Sequence, residues 1–431
     1  MKSRLRTAFV IEDVRRAGWA VADQGISPVV QLAITPFLLA RLGHAAFGVW
    51  VLAITLINMS QLISCGAAVA TTKHVSADLA IGAKIDAVGA IRAALTIATV
   101  GGALAVVIAW LGAPLVSRLF FSQMGSVEEL APILALCGVA AAIQEIDSVF
   151  VGAMRGAERF DLCAKTEIPC RVALGGVLVY IASIEPNVHT LIVGLIAVSV
   201  FKAALKARQL CLLLQSADCC IPGTATEPLR RVFRFGAWQW LQSAGAALFA
   251  TTDQLMIGGL LGASELSRYS ICQQIAQNVH YLPSVILQII FPKISAIGVQ
   301  IDADRGNRYL MFATTLALFF AVALGVPIIL LARPIMALWI NAPFAQENYV
   351  LLIILVGVHM ILAFNIGAYY VLLGRGKSEK SAQIVLLAGV AQSAVAFIAA
   401  PFGVLAMAAN RSIYALITAF LYPLAKFPKN D

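Results

Sequence analysis

Stretches of about 20 mostly apolar residues recur between Ala17 and Pro423. A helix rises 1.5 Å per residue, so about 20 residues cross a hydrocarbon layer about 30 Å thick. The runs do not alternate apolar and polar residues as barrel strands do. The chain is therefore read as all-α, a polytopic membrane protein. Charged residues make up 12% of it, against about 25% in a soluble domain. Twelve spans are expected, at 17–40, 47–70, 88–111, 130–152, 165–184, 190–211, 233–257, 269–291, 309–331, 348–371, 383–400 and 403–424. Short loops leave no room for a separate soluble domain.

Orientation follows from lysine and arginine placement. With the N-terminus inside, 26 of the 31 basic residues fall on inner segments or inner helix ends and 4 fall on outer loops. Such a bias places both termini in the cytoplasm. It also accounts for the net charge of +9, so no nucleic-acid partner is expected. Residues 1–16 read as a cytoplasmic interfacial arm, with no signal peptide. The eight cysteines are scattered, with no CxxC and no Cys/His cluster. Neither a disulfide nor a metal site is expected.

An internal repeat divides the chain. At a shift of 219, Leu42-Gly43 meets Leu261-Gly262 and Ser76 meets Ser295; at 220, Arg155-Gly156 meets Arg375-Gly376. These matches fall at equivalent topological points. They predict two six-helix lobes in the same orientation, 17–215 and 233–431, joined by a cytoplasmic linker at 216–232.

Polar residues recur on single helix faces. The first helix carries Gln24, Ser27, Gln31 and Thr35; the second carries Thr55, Asn58 and Gln61. Their second-lobe counterparts are Gln239, Gln242 and Ser243, then Gln274, Gln277 and His280. Steps of three or four keep such side chains together. Helix–helix hydrogen bonding is one reading. A wet cavity lined by Gln24, Gln31, Asn58, Gln61, Gln274, Gln277 and His280 is the other. Asp23, Glu145, Asp147, Asp253 and Arg411 lie within spans, where each charge needs water or a partner. Lys202 and Lys206 share a helix face, with Arg171 on the preceding helix. They could meet an anionic group, or simply snorkel to the interface. Asp23, Glu145 and Asp147 are candidates for ion coupling. Asp253 lies about 6 Å, or four residues, from an outer helix end. Pairing or gating is expected there, with Arg268 as one partner. No Walker A, GxSxG or HExxH motif occurs, so no enzyme and no cofactor are expected.

Several segments carry a resemblance. "LRRVFRFGAWQWLQSAGAALFATTDQLMIGGLLGASELSRYSICQQIAQNVHYLPSVILQIIFPKIS" (229–295), "TPFLLARLGHAAFGVW" (35–50) and "AMRGAERFD" (153–161) resemble bacterial polysaccharide flippases. These belong to the superfamily of multidrug and toxic-compound extrusion transporters. The resemblance implies two lobes, alternating access and an inner-membrane location. It implies movement of an undecaprenyl-diphosphate-linked oligosaccharide, for O-antigen or other surface polysaccharide. Polysaccharide polymerase machinery is a partner it would imply. A cation-coupled multidrug exporter of the same superfamily is the alternative.

Overall fold

The structure is a computed structural model. It describes residues 2–59, 66–223, 225–297, 303–375 and 378–427. Side-chain surroundings are described for these except 2–17, 20, 21, 234–239, 241, 242, 288–297, 303, 305, 374 and 378. Gln61, and the side chains of Gln239 and Gln242, lie outside the described residues.

All regular structure among the described residues is helical. In chain order the helices are α1 (Lys2–Met59), α2 (Ala67–Ala80), α3 (Lys84–Phe120), α4 (Val127–Gly156), α5 (Phe160–Ile184) and α6 (Val188–Leu214). There follow α7 (Thr226–Leu261), α8 (Ala263–Ala276), α9 (Asn278–Ile297), α10 (Ala303–Leu330) and α11 (Ala332–Trp339). The last are α12 (Ala342–Gly374), α13 (Ser378–Ala399), α14 (Val404–Thr418) and α15 (Leu421–Ala425). Among the described residues, 10 helices are long and apolar enough to cross a membrane. Twelve spans were expected. The first two meet within α1, whose helical geometry breaks at Gly43, and the eighth is divided between α8 and α9 at Gln277.

α3 shows how such a helix is built. Val100, Leu104, Val107, Ile108, Leu111, Leu115 and Leu119 are exposed, at spacings that mark one apolar face for lipid. The buried face carries Ala87, Ala90, Ala94, Ala98 and Ala105. Small residues face inward because close backbone approach, rather than water exclusion, holds helices together in lipid. On α4, a Cβ at Gly152 would run into the Ala68 carbonyl, and one at Gly156 would lie 2.7 Å from the Thr72 carbonyl. Thr72 Oγ1 also donates to the Gly152 carbonyl at 3.0 Å.

The helices pack into two units, residues 1–243 and 244–431. In the first, α4 is central and touches α1, α2, α3, α5 and α6. In the second, α12 is central and touches α8, α9, α10, α11, α13, α14 and α15. α4 starts where Ser126 accepts the Glu129 amide, with Glu128 and Glu129 favouring the positive helix end. α12 starts where Asn341 accepts the Phe344 amide at 2.8 Å. Gly43 (φ 73°, ψ 171°) and Gly262 (φ 93°, ψ 174°) share one conformation. That region is open essentially to glycine alone, which explains why this glycine recurs in both halves.

The segment before α7 packs against the first unit. Gly223 donates its amide to the Arg92 carbonyl at 3.1 Å, and Thr96 Oγ1 donates to the Gly223 carbonyl at 2.8 Å. Early in α7, Arg231 grips Asp78 through two hydrogen bonds of 2.6 and 3.1 Å.

Candidate functional site

The first unit holds a connected set of charges on four helices. Lys202 lies 14 residues after Val188 and 12 before Leu214, so it sits near the middle of α6, about 18 Å from its end. Lys206 is one turn further on and fully buried. Its Nζ donates to Asp147 Oδ2 of α4 at 2.8 Å and to Glu167 Oε1 of α5. Lys202 Nζ lies 3.0 Å from Asp147 Oδ2 and 3.5 Å from Glu167 Oε1. Arg171 Nε reaches Glu167 Oε2 at 3.1 Å, and its Nη1 lies 3.5 Å from Asp23 Oδ1 of α1. Arg155 Nη2 closes the chain on Asp23 Oδ2 at 3.3 Å.

Among the described residues, four cationic side chains thus hold three carboxylates, a surplus of one positive charge. The three carboxylates are nearly buried, while Arg155 and Arg171 keep 41% and 30% exposure. Lys206 is held by two carboxylates and does not reach for an interface. Asp23, Asp147, Arg171, Lys202 and Lys206 are therefore brought together, joined by Arg155 and Glu167. Glu145 is also buried on α4.

The second unit holds a smaller cluster. Arg411 of α14 donates to Asp253 Oδ2 of α7 at 2.7 Å and to the Tyr269 hydroxyl of α8 at 3.1 Å. Tyr269 donates to Asp253 Oδ2 at 2.8 Å, and Gln392 of α13 donates to Asp253 Oδ1 at 2.9 Å. The Arg411 guanidinium lies 4.1 Å from the Phe249 ring centroid, a cation–π contact. Phe249 in turn stacks on Tyr414 at 4.1 Å. Asp253 is not paired with Arg268. Arg268 reaches Glu265 at 3.2 Å and Glu347 at 3.4 Å instead. The physical reason is burial: Asp253 is fully enclosed, and Arg411 comes from within the bundle to neutralise it.

Next to this cluster, Gln273 Nε2 meets His359 Nε2 at 3.1 Å, and the His280 and His359 rings lie 6.3 Å apart. Arg411 Nε, Gln392 Oε1, Asn410 Oδ1, Gln273 Oε1 and His359 Nδ1 are buried without a hydrogen-bond partner among the described residues. Buried polar atoms of this kind are satisfied by water or a ligand.

The remaining expected residues divide by exposure. Gln31 and Asn58 are exposed, Gln24 and Gln277 are half-buried, and Gln274 is buried. The Asn278 side-chain amide donates to the Gln274 backbone carbonyl at 2.7 Å. His359, Asn365, Gln392 and Asn410 are buried here and are not among the expected residues. Their signal was available, as isolated polar residues inside the apolar runs 348–371, 383–400 and 403–424. Along the sequence the cysteines are scattered. The fold corrects this, because Cys211, Cys219 and Cys220 bring their sulfurs within 4.8 Å of one another.

Residues 38–346 match the family model described as "Polysaccharide biosynthesis protein". The chain belongs to this polysaccharide biosynthesis family. A Shigella flexneri protein named "Putative O-antigen transporter" is 20% identical over 421 residues, covering 95% of this chain and 96% of that one. Among solved structures, the lipid II flippase MurJ in an inward closed conformation superposes with a TM-score of 0.78 at 11% identity. That match covers 94% of this chain and 86% of the other. An inward-facing multidrug transporter of the MATE family and MOP superfamily gives 0.72 at 14% identity, covering 95% and 93%. The chain shares its fold with these solved structures.

Proposed function

We propose that this family member translocates a lipid-linked oligosaccharide, carried on a diphosphate, across the bacterial inner membrane by alternating access. The observation that carries the reading is the charge set of the first unit. Its single positive surplus is spread over Arg155, Arg171, Lys202 and Lys206. The two arginines keep enough exposure to exchange a carboxylate for a phosphate oxygen, and guanidinium groups match phosphate geometry. Neutral groups such as Gln24, Gln31, Asn58, Gln61, Gln274, Gln277 and His280 suit sugar hydroxyls. Family membership and the O-antigen relative support surface polysaccharide as the destination, with the polymerase machinery downstream.

The cation-coupled exporter is less well supported. Asp23, Glu145 and Asp147 would bind its ion, yet two of these carboxylates, Asp23 and Asp147, already carry protein cations. A proton or sodium ion would have to displace a guanidinium or ammonium. Asp253 is compensated in the same way by Arg411.

A deletion strain tests the proposal. Lipid-linked oligosaccharide should accumulate facing the cytoplasm, and surface glycan should disappear. Intact glycan in a strain with no second flippase, together with new drug sensitivity, would reverse the order of the two readings.

A further inference from the structure

Three cysteines converge just before the stretch that leads into α7. Cys211 lies in the last turn of α6. The chain then turns at Gln215, in a left-handed conformation (φ 47°), and enters a short 3₁₀ turn, Asp218–Cys220. This fold-back returns Cys219 and Cys220 to Cys211. The sulfurs are 2.7 Å (211 to 220), 3.5 Å (211 to 219) and 3.8 Å (219 to 220) apart. Cys219 is fully buried, while Cys211 and Cys220 are half-buried.

We propose that Cys211, Cys219 and Cys220 form a three-thiolate site for a thiophilic cation, copper(I) or zinc. Metal–sulfur bonds of about 2.3 Å place the sulfurs of such a site about 3.8 to 4.0 Å apart, by simple tetrahedral or trigonal geometry. Two of the three separations are already close to this. The third opens by about 1 Å when half-buried Cys220 or Cys211 turns its sulfur outward. Soft thiolates select copper(I) and zinc over magnesium, calcium or manganese. Three-coordination suits copper(I); zinc takes water as a fourth ligand from the half-exposed side.

A disulfide is the competing chemistry. It would join Cys211 to Cys220 and leave Cys219 unused, although Cys219 points its sulfur at both. On the cytoplasmic side, where lysine and arginine placement puts this loop, thiols stay reduced. Binding breaks three S–H bonds, forms three metal–sulfur bonds and releases three protons, with no change of oxidation state. The bound ion would fasten residues 215–223 to α6, and through Gly223 to Arg92 and Thr96 of α3.

The test uses the full chain, purified reduced in detergent and stripped with a chelator. Copper(I), and separately zinc, is added in competition with a chromophoric chelator. Alkylation of each cysteine is then read by peptide mass spectrometry. The proposal expects one ion per chain for at least one metal, with Cys211, Cys219 and Cys220 protected and Cys163 and Cys272 unchanged. Cys219→Ser should abolish both effects. Because protection is read in the wild-type chain, a variant that fails to fold does not remove the test. The proposal is overturned if neither metal protects the three thiols, if Cys211→Ser/Cys219→Ser/Cys220→Ser binds as much metal as wild type, or if chain extracted without reductant, its free thiols capped first, carries a Cys211–Cys220 disulfide.

Discussion

Replacing Arg411 with Met should destabilise the second unit far more than it changes its shape. Asp253 is fully buried and takes a 2.7 Å hydrogen bond from Arg411. Without Arg411 its charge keeps, among the described residues, only the Tyr269 hydroxyl and the Gln392 side-chain amide, at 2.8 and 2.9 Å. Breaking a buried pair from one side costs about 3–5 kcal/mol. The two surviving donors, and an unfolded reference that still sits in lipid, place the expected loss near the lower end, about 3 kcal/mol. At about 2–4 °C per kcal/mol for a unit of this size, that is a drop of about 6–12 °C. The double variant Asp253→Asn/Arg411→Met removes both charges and should recover about 2 kcal/mol of the loss. Cys272 supplies a local reporter. It is the only cysteine after residue 243 in the sequence and is fully buried. Its rate of thiol labelling during a thermal ramp in detergent follows opening of this unit. If Arg411→Met labels within about 0.5 kcal/mol of wild type, or the double variant is no better than the single, the pair does not hold the unit together.

Three further outcomes follow from particular residues. Lys206→Met should destabilise the first unit by about 3 kcal/mol, and Lys206→Met/Asp147→Asn should recover part of it; equal melting of the two variants would count against the charge network. Gly262→Ala and Gly43→Ala should each cost about 1–3 kcal/mol through backbone strain, measured as a lower melting temperature, whereas unchanged melting would show that the turn relaxes. His74, on α2 outside the spanning segments, has its imidazole pushed below the usual range by burial, then by Arg231 and Lys73. The folded chain therefore binds fewer protons there than the unfolded one. Stability should be complete above the unfolded value of about 6.5 and fall as pH drops below it. His74→Gln should flatten that slope, and an unchanged slope would assign it to other groups.

Much of the fold was legible because lipid imposes a single rule on every span. Runs of about 20 apolar residues had to be helices, since no other open structure satisfies the backbone in hydrocarbon. Leu42-Gly43 and Leu261-Gly262 could be matched because one glycine-only backbone conformation recurs at both. Span ends were harder to place where, as at Gln277 between α8 and α9, the helix breaks inside an expected span, 269–291. Partner choice was less legible still. Arg268 is only 15 residues from Asp253, whereas Arg411 is 158 residues away. Sequence proximity favoured the wrong arginine, because three-dimensional burial decides which cation is needed. Lys206 was read with the basic residues at an inner helix end, a position from which snorkelling is natural. Its two carboxylate partners lie on α4 and α5, and no spacing within α6 discloses them. The thiol cluster escaped for a similar reason: the left-handed turn at Gln215 folds a spacing of eight and nine residues into contact.

The central claim is translocation of a diphosphate-linked oligosaccharide, and reconstitution tests it most directly. Purified protein in liposomes is given a lipid-linked oligosaccharide in one leaflet, and its arrival in the other is read with a membrane-impermeant lectin or glycosidase. Wild type should transfer the lipid, and Arg155→Gln/Arg171→Gln, with Asp23→Asn added so that no buried carboxylate loses its cations, should transfer it markedly more slowly. Transfer no faster than in protein-free liposomes, alongside ion-driven export of cationic drugs by the same preparation, would contradict the account.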